Sequence, residues 1–559
     1  MQVHSKSVSD AIADVVVQRS DLTFGVMGNG NAHFVSSLTS RGAKYVSARH
    51  ESGTVMMSQT YNLASGKLAT ATTTYGPGFT NAMTSLAEAR LARVPMVVVV
   101  GDAPTSGKRG QDVDQVLAAR ALGIMTFVVG PENAQVLTEK AFNLAEKDRV
   151  PVIVAIPYDQ VAKDLEEQVD LFSDTDYSGV PPRERAGQAE PDDVLVGRVA
   201  AALEQAERPL IIAGRGVHLS GSGAVLREVG DRVGALFATS LMARNVFDSP
   251  WDLGIAGGFS APKAAALMAA ADVVIVVGAS LNLYQMRYNT LLTGAKAIFQ
   301  LDLLPTATHS QVTEFIQGDA WIFAGKLLER VTEKDPGWRS AVADDIVDLL
   351  AEPEPVNEMG PDGRLDPRAV VKHLAEILPV ERTAVQDTGH FMGWVPRYWP
   401  SPDPEGMLLP GLAVQSIGLG ISCAVGAAHA HPQRLTVLVC GDGGASMGLA
   451  ELETLIRNVR RGIMIVLNDA AYGMEVHQYA VKGLDEAGMV FDEVNYAAIA
   501  RSMGAKAINV RSLADLTDVE QWLSSDSQGL LVLDIAISKE VVADWLKMSN
   551  AYYSTPSTV

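Results

Sequence analysis

Residues 435–477, LTVLVCGDGGASMGLAELETLIRNVRRGIMIVLNDAAYGMEVH, restrict the possible folds of this chain more than any other stretch. Leu435–Cys440 is an apolar run of strand length, and it ends in Gly441-Asp442-Gly443-Gly444. Met447, Leu449, Leu452, Leu455 and Ile456 follow in a helix-like segment. A second apolar run, Ile463–Leu467, ends in Asn468-Asp469. Strand, glycine turn, helix and strand in this order make a βαβ unit with parallel strands. Asp442 and Asp469 are therefore expected side by side at the carboxyl edge of the sheet, where such folds take ligands. Their oxygens, with room for backbone carbonyls, water and ligand phosphates, suit Mg²⁺, with Ca²⁺ or Mn²⁺ as alternatives. The glycines leave N–H groups at a helix start, where a diphosphate can sit.

The chain has 559 residues, too many for one core, so two to four domains are expected. A net charge of −20 argues against a nucleic-acid surface. Cys423 and Cys440 are the only cysteines and lie in apolar contexts, which speaks against a disulfide framework. No apolar run reaches the roughly 18 residues of a membrane span. The N-terminus, MQVHSKSVSDAIADVV, reads as an amphipathic helix start rather than a signal peptide. A cytoplasmic protein without membrane or nucleic-acid partners is expected.

Strands and helices alternate along the whole chain. Leu22–Met27, Ala43–Ser47, Leu68–Thr74 and Met96–Val100 read as strands, with a helix at about Thr80–Ala92. In the middle third, Pro209–Ala213 leads to Gly214-Arg215-Gly216, Val273–Val277 to Gly278 and Ala297–Leu301 to Asp302. These turns do not complete a dinucleotide fingerprint at a first strand, which favours plain α/β packing and disfavours a nicotinamide-dependent dehydrogenase. Linkers rich in proline and charge fall at Ser173–Pro191 and Ala351–Asp366. An α/β architecture of three doubly wound parallel-sheet domains is predicted, over residues 1–172, 192–350 and 367–545.

Gly-Asp-Gly alone is an ordinary strand-to-helix turn. Followed by 24 residues (444–467) and Asn468-Asp469, it resembles the thiamine diphosphate motif of the 2-oxo-acid decarboxylase and acetolactate synthase family. Asp469 stands where the family has a second asparagine. The resemblance implies a pyrimidine-binding, a central and a diphosphate-binding domain, with Asp442, Asp469 and the Ala471 carbonyl holding the metal. It assigns Gly441, Gly443, Gly444, Tyr472, Gly473 and Met474 to the cofactor. Arg49-His50-Glu51 matches the family's glutamate, which hydrogen-bonds the aminopyrimidine. Thr74-Tyr75-Gly76-Pro77-Gly78-Phe79-Thr80-Asn81 resembles TSGPGATN, placing Gly76 beside the cofactor, and Gly110-Gln111-Asp112 resembles FQE, placing Gln111 at the reacting carbon. Gln415 and Ile417 fall where the family bends the cofactor, and Asp387-Thr388-Gly389-His390 resembles a D-x-G segment that brings His390 near the diphosphate.

Asn29 occupies the place of an aspartate in yeast-type pyruvate decarboxylases, whose Asp-His-His set is missing here; it joins Glu51, Gln111 and Glu475 as a candidate catalytic residue. Glu475, six residues after Asp469, stands where decarboxylases of the group handle the substrate carboxylate or a proton and acetolactate synthases are apolar; His477 is a weaker candidate. The departures at Asn62, Gly110, Asp469 and Glu475 point to a specialised substrate. The expected activity is decarboxylation or carboligation of a 2-oxo acid in a homodimer or homotetramer. Alternatives are a hydrolase or lyase of a diketone or acyl-CoA, and a non-catalytic nucleotide-binding relative. FAD is not supported, because the family's arginine-rich segment reads Gly278-Ala279-Ser280-Leu281-Asn282.

Overall fold

The structure, a computed structural model, describes residues 6–169, 189–350 and 355–554. The first predicted linker lies largely, and the second in part, outside these residues. Three six-stranded, all-parallel sheets with flanking helices follow one another along the chain.

The first sheet contains β1 (Leu22–Gly25), β2 (Tyr45–Ser47), β3 (Ala69–Thr73), β4 (Met96–Asp102), β5 (Met125–Val128) and β6 (Pro151–Pro157). Its order is β2-β1-β3-β4-β6-β5. The second contains β7 (Pro209–Ala213), β8 (Leu236–Thr239), β9 (Asp252–Ile255), β10 (Val273–Val277), β11 (Ala297–Asp302) and β12 (Glu314–Gln317), ordered β12-β11-β10-β7-β8-β9. The third contains β13 (Arg382–Gln386), β14 (Met407–Leu408), β15 (Leu435–Gly441), β16 (Arg461–Asn468), β17 (Lys506–Val510) and β18 (Gly529–Ala536), ordered β14-β13-β15-β16-β18-β17. The first and third sheets therefore share one topology, with the strand order reversing between β1 and β3 and again between β13 and β15. Central strands such as β4 are buried at every residue, as a sheet covered by helices on both faces requires.

β15 and β16 pair in parallel, with Gly441 opposite Leu467, so the predicted adjacency is present. The connection between them is not one helix. Asp442–Met447 and Leu452–Asn458 are helices on either side of a 3₁₀ turn at Leu449–Glu451. A Cβ on Gly448 would lie 2.7 Å from the Gly418 carbonyl oxygen, so the chain turns where another backbone passes. Met447, read as apolar face, is 60% exposed. The expected helix Thr80–Ala92 likewise starts earlier, at Pro77, and divides into Pro77–Asn81 and Met83–Leu91. Proline in the first turn lacks only an N–H that would be orphaned there.

The first and third domains are packed together. Helix Glu51–Ser65 lies on helix Gly420–Ala430, and Gly426 sits against the Met57 carbonyl, where a side chain would collide. Phe24, Met56, Met57 and Tyr61 share a core with Leu438, Met464 and Val466 across this contact.

Candidate functional site

A cavity of about 810 Å³ opens at the carboxyl edge of the third sheet, where its strand order reverses. It is lined by His390, Gln415, Ile417, Gly441, Asp442, Gly443, Gly444, Asp469, Ala471, Tyr472, Gly473, Met474 and Glu475. Every residue predicted for the diphosphate and metal thus meets one space. Tyr284 and Tyr288 from the central domain, and Trp545 and Tyr553 from helix Asp544–Ser554, form its outer wall.

Close packing of turns explains the glycines. A Cβ on Gly443 would come 2.7 Å from the Tyr472 ring, and one on Gly473 2.6 Å from His390 Nδ1. Two non-glycine residues of the third domain have left-handed backbone, Gln415 at φ 58° and Ala470 at φ 56°. Such strain persists where surrounding structure imposes it. The Ala470 N–H donates to Asp442 Oδ2 at 2.8 Å, and the Tyr496 hydroxyl donates to the Asp442 carbonyl at 2.7 Å.

Asp442 and Asp469 are 2% and 5% exposed. Burial pushes the Asp442 carboxyl up to about 6, and burial followed by the Asp442 charge pushes Asp469 well above the ordinary carboxylate range. Two buried carboxylates that oppose each other's ionisation suit a cation between them. Among the described residues no cluster of three or more His, Cys, Asp or Glu side chains surrounds a point. The protein would therefore supply two carboxylates and a backbone carbonyl, which fits a hard ion completed by water and phosphate oxygens. His390 lies 4.0 Å from Asp469, but burial, then His477, lowers its pKa to about 3, so the neutral ring makes no ion pair. His477 is buried against His390, with ring centroids 5.1 Å apart, and does not line the cavity.

The other predicted residues lie on a different face. Glu51, Gly76, Gln111 and Asn29 are absent from the cavity wall. They gather at the corresponding reversal point of the first sheet, beyond β1 and β3. Asn81 Nδ2 donates to Glu51 Oε2 at 3.0 Å, and a Cβ on Gly78 would lie 3.4 Å from Glu51 Oε1. Gly76, at φ 60°, would bring a Cβ 3.0 Å from the Gln111 carbonyl. Asn29 Nδ2 donates to the Tyr75 hydroxyl at 2.9 Å. Asn29, Asn81 and Gln111 are exposed.

Sequence reading missed Glu88 and Glu451 and gave Asp387 and Gln115 no positioning role, yet these buried groups hold the two sets in place. Glu88, 1% exposed, accepts the N–H groups of Gly411 at 3.0 Å and Val414 at 2.7 Å, so a first-domain carboxylate holds the loop leading to Gln415. Glu451 Oε1 accepts the N–H groups of Arg49 and His50 at 2.9 and 2.7 Å, fixing the chain that leads to Glu51 from the third domain. Asp387 Oδ2 accepts the Gly418 N–H at 3.0 Å. Gln115 Oε1 accepts the Gly76 N–H at 2.6 Å. A lone glutamate in the apolar run Leu86-Ala87-Glu88-Ala89 was the available signal for Glu88.

A second cavity, of about 680 Å³, is lined by Arg93, Arg149, Arg215, Gly216, Gly278 and Asp302 among others. Gly214 and Gly216 pack directly on Gly278, so the middle-domain glycines are required by the contact of two turns.

Comparison with known proteins gives three family matches. The thiamine pyrophosphate enzyme N-terminal TPP binding domain matches residues 6–122, the central domain 196–327 and the C-terminal TPP binding domain 387–535. The mitochondrial acetolactate synthase catalytic subunit of Saccharomyces cerevisiae is 24% identical, over 94% of this chain and 79% of its own. That of Aspergillus candidus is 27% identical, over 89% and 75%. Sulfoacetaldehyde acetyltransferase of Alcaligenes xylosoxydans xylosoxydans is 24% identical, over 92% and 90%.

Proposed function

Because the chain belongs to the thiamine diphosphate-dependent, acetolactate synthase-like family, we propose that it is a Mg²⁺-dependent decarboxylase and carboligase of 2-oxo acids, working in the cytoplasm as a homodimer or homotetramer. The observation that carries this is the division of the candidate residues into two sets on separate faces, each at the reversal point of a sheet. Thiamine diphosphate, when bound, supplies carbanion stabilisation next to a carbonyl. The residues of the chain do the rest. Asp442, Asp469 and the Ala471 carbonyl would hold Mg²⁺ against the diphosphate, and Gln415 and Ile417 would seat the middle of the cofactor. Glu51 of a second chain would hold and exchange a proton at the aminopyrimidine ring, with Asn81 keeping its carboxylate in place. Gln111 and Asn29 would come with it toward the reacting carbon, while Glu475, exposed at the cavity wall, would move a proton to the product.

One observation favours a second activity, hydrolysis of a C–C bond in a neutral diketone. The half of the site that one chain's cavity supplies offers no lysine or arginine to a substrate carboxylate among its described residues. A panel of 2-oxo acids and cyclic diketones, assayed with and without thiamine diphosphate and Mg²⁺, separates the two. Cofactor-dependent release of CO₂ is the expected result, and Glu51→Gln should slow it by about 10²-fold or more, the usual contribution of a positioned proton-transfer group. Turnover of diketones alone selects hydrolysis. Absence of thiamine diphosphate binding overturns both.

A further inference from the structure

The cavity beside Asp442 has three carboxylates on its wall, Asp442, Asp469 and Glu475, and no cation among its described residues. An acceptor 2-oxo acid keeps its carboxylate through the reaction, and a buried anion needs a partner. The first-domain face that a second chain would bring to this cavity holds such a partner in a fixed pose.

Arg109 lies two residues before Gln111. Its Nε and Nη2 donate to the two carboxylate oxygens of Asp112 at 3.2 and 2.8 Å, and its Nη1 donates to the Tyr75 hydroxyl at 3.3 Å. Its backbone N–H also donates to Asp112, at 2.7 Å. The guanidinium carbon stands 4.2 Å from the Tyr75 ring centroid and 4.8 Å from that of Tyr158. The same Tyr75 hydroxyl accepts from Asn29, so Arg109, Tyr75 and Asn29 form one connected group. A guanidinium has five N–H donors. Asp112 and Tyr75 take one on each nitrogen, so Nη1 and Nη2 each keep one. A donor left on each of these neighbouring nitrogens can meet a carboxylate. Stacking against the rings limits the freedom the side chain would lose on binding.

We infer that Arg109 of one chain binds the carboxylate of the acceptor 2-oxo acid in the site completed by the cavity of a second chain; this rests on the functional reading above. The acceptor, rather than the donor, follows from transition-state energetics. A guanidinium paired with the donor's carboxylate would stabilise the charge that disappears as CO₂ forms, and so would raise that barrier. Paired with the acceptor, it holds a charge unchanged from substrate to product. The donor's bond between carboxylate and carbonyl carbon breaks and CO₂ leaves. The electron pair of that bond ends in a new bond to the acceptor's carbonyl carbon, whose oxygen takes up one proton. Two 2-oxo acids and a proton thus yield CO₂ and a 2-hydroxy-3-oxo acid that retains one carboxylate.

The test compares two acceptors that differ only in this group: the 2-oxo acid turned over best, and the aldehyde formally derived from it by loss of CO₂. Arg109→Gln should raise KM for the acid acceptor about tenfold or more, the scale of a charge-assisted pair, and shift the preference toward the aldehyde by a similar factor. Arg109→Lys, which keeps charge without the two-pronged edge, should fall between. Thiamine diphosphate binding, followed by fluorescence quenching, should match the unsubstituted protein and show that the fold is intact. An unchanged acid-to-aldehyde preference in both variants, with the unsubstituted enzyme active, overturns the Arg109 assignment alone. If the unsubstituted protein binds no thiamine diphosphate, the functional reading fails and this assignment falls with it.

Discussion

The first and third domains share a sheet order but prepare their ligand edges in opposite ways. At the third, the key carboxylates are buried, the glycine turns touch and two residues have strained backbone. At the first, Asn29, Asn81 and Gln111 stand in solvent, with Asn29 hydrogen-bonded to Tyr75 and Asn81 to Glu51. A metal and a diphosphate need dense, preorganised oxygen and N–H groups, which a single chain can build by burial. On the proposed reading, the exposed face of the first domain would close over a cofactor held by another chain. The buried half would then hold the metal and cofactor and carry Glu475, the open half would bring Glu51, Gln111 and Asn29, and each half can be broken separately.

The largest effect should come from separating the halves genetically. Glu51→Gln and Asp442→Asn should each be nearly inactive. Mixed and allowed to exchange subunits, they should recover about a quarter of the unsubstituted activity, because half the dimers are mixed and one of their two sites is intact. No recovery, with exchange verified by differently tagged subunits, would show that both halves of a site come from one chain.

Glu88→Gln should follow. Two backbone N–H groups lose part of a buried anionic acceptor, which should weaken thiamine diphosphate binding or fold stability by about 1–3 kcal/mol. Denaturation with and without cofactor separates the two. Equal losses in both states would mean that Glu88 supports the fold and not the Gln415 loop.

The smallest effect is a slope. Burial pushes Asp387 from 3.8 up to about 6 despite its hydrogen bonds to backbone N–H groups. Between these values the folded chain holds a proton that the unfolded chain has released. Stability from this group is therefore fully present below about pH 4 and is lost as pH rises through about 6. Asp387→Asn should flatten the decline of Tm with pH across that window, though it leaves at least one backbone N–H short of an acceptor. A parallel profile in the variant would remove Asp387 as its source.

Local pattern made much of this legible. Apolar runs marked central strands such as β1, β3, β4, β7, β10, β11, β15 and β16 but not β6 or β8, and the 24-residue spacing brought Asp442 and Asp469 to one sheet edge. The break at Gly448 was not legible, since it depends on the Gly418 backbone crossing above it. Nor was the shared topology of the first and third sheets, which have equivalent strand orders without a visible repeat. His477 looked like a candidate for chemistry, but its helix turns it under the cavity wall against His390.

What the sequence by itself determined, then, is the α/β architecture and the inventory of chemical groups, because strand, turn and metal-ligand preferences act over a few bonds. Tertiary structure decided which groups meet. Glu88 reaches a loop more than 300 residues away, and Glu451 reaches back about 400 to Arg49 and His50. Buried N–H groups must find acceptors wherever the packed chain puts them. No spacing rule in a linear sequence encodes such distant pairs, and the separation of Glu51 from the cavity of its own chain is a consequence of the same packing.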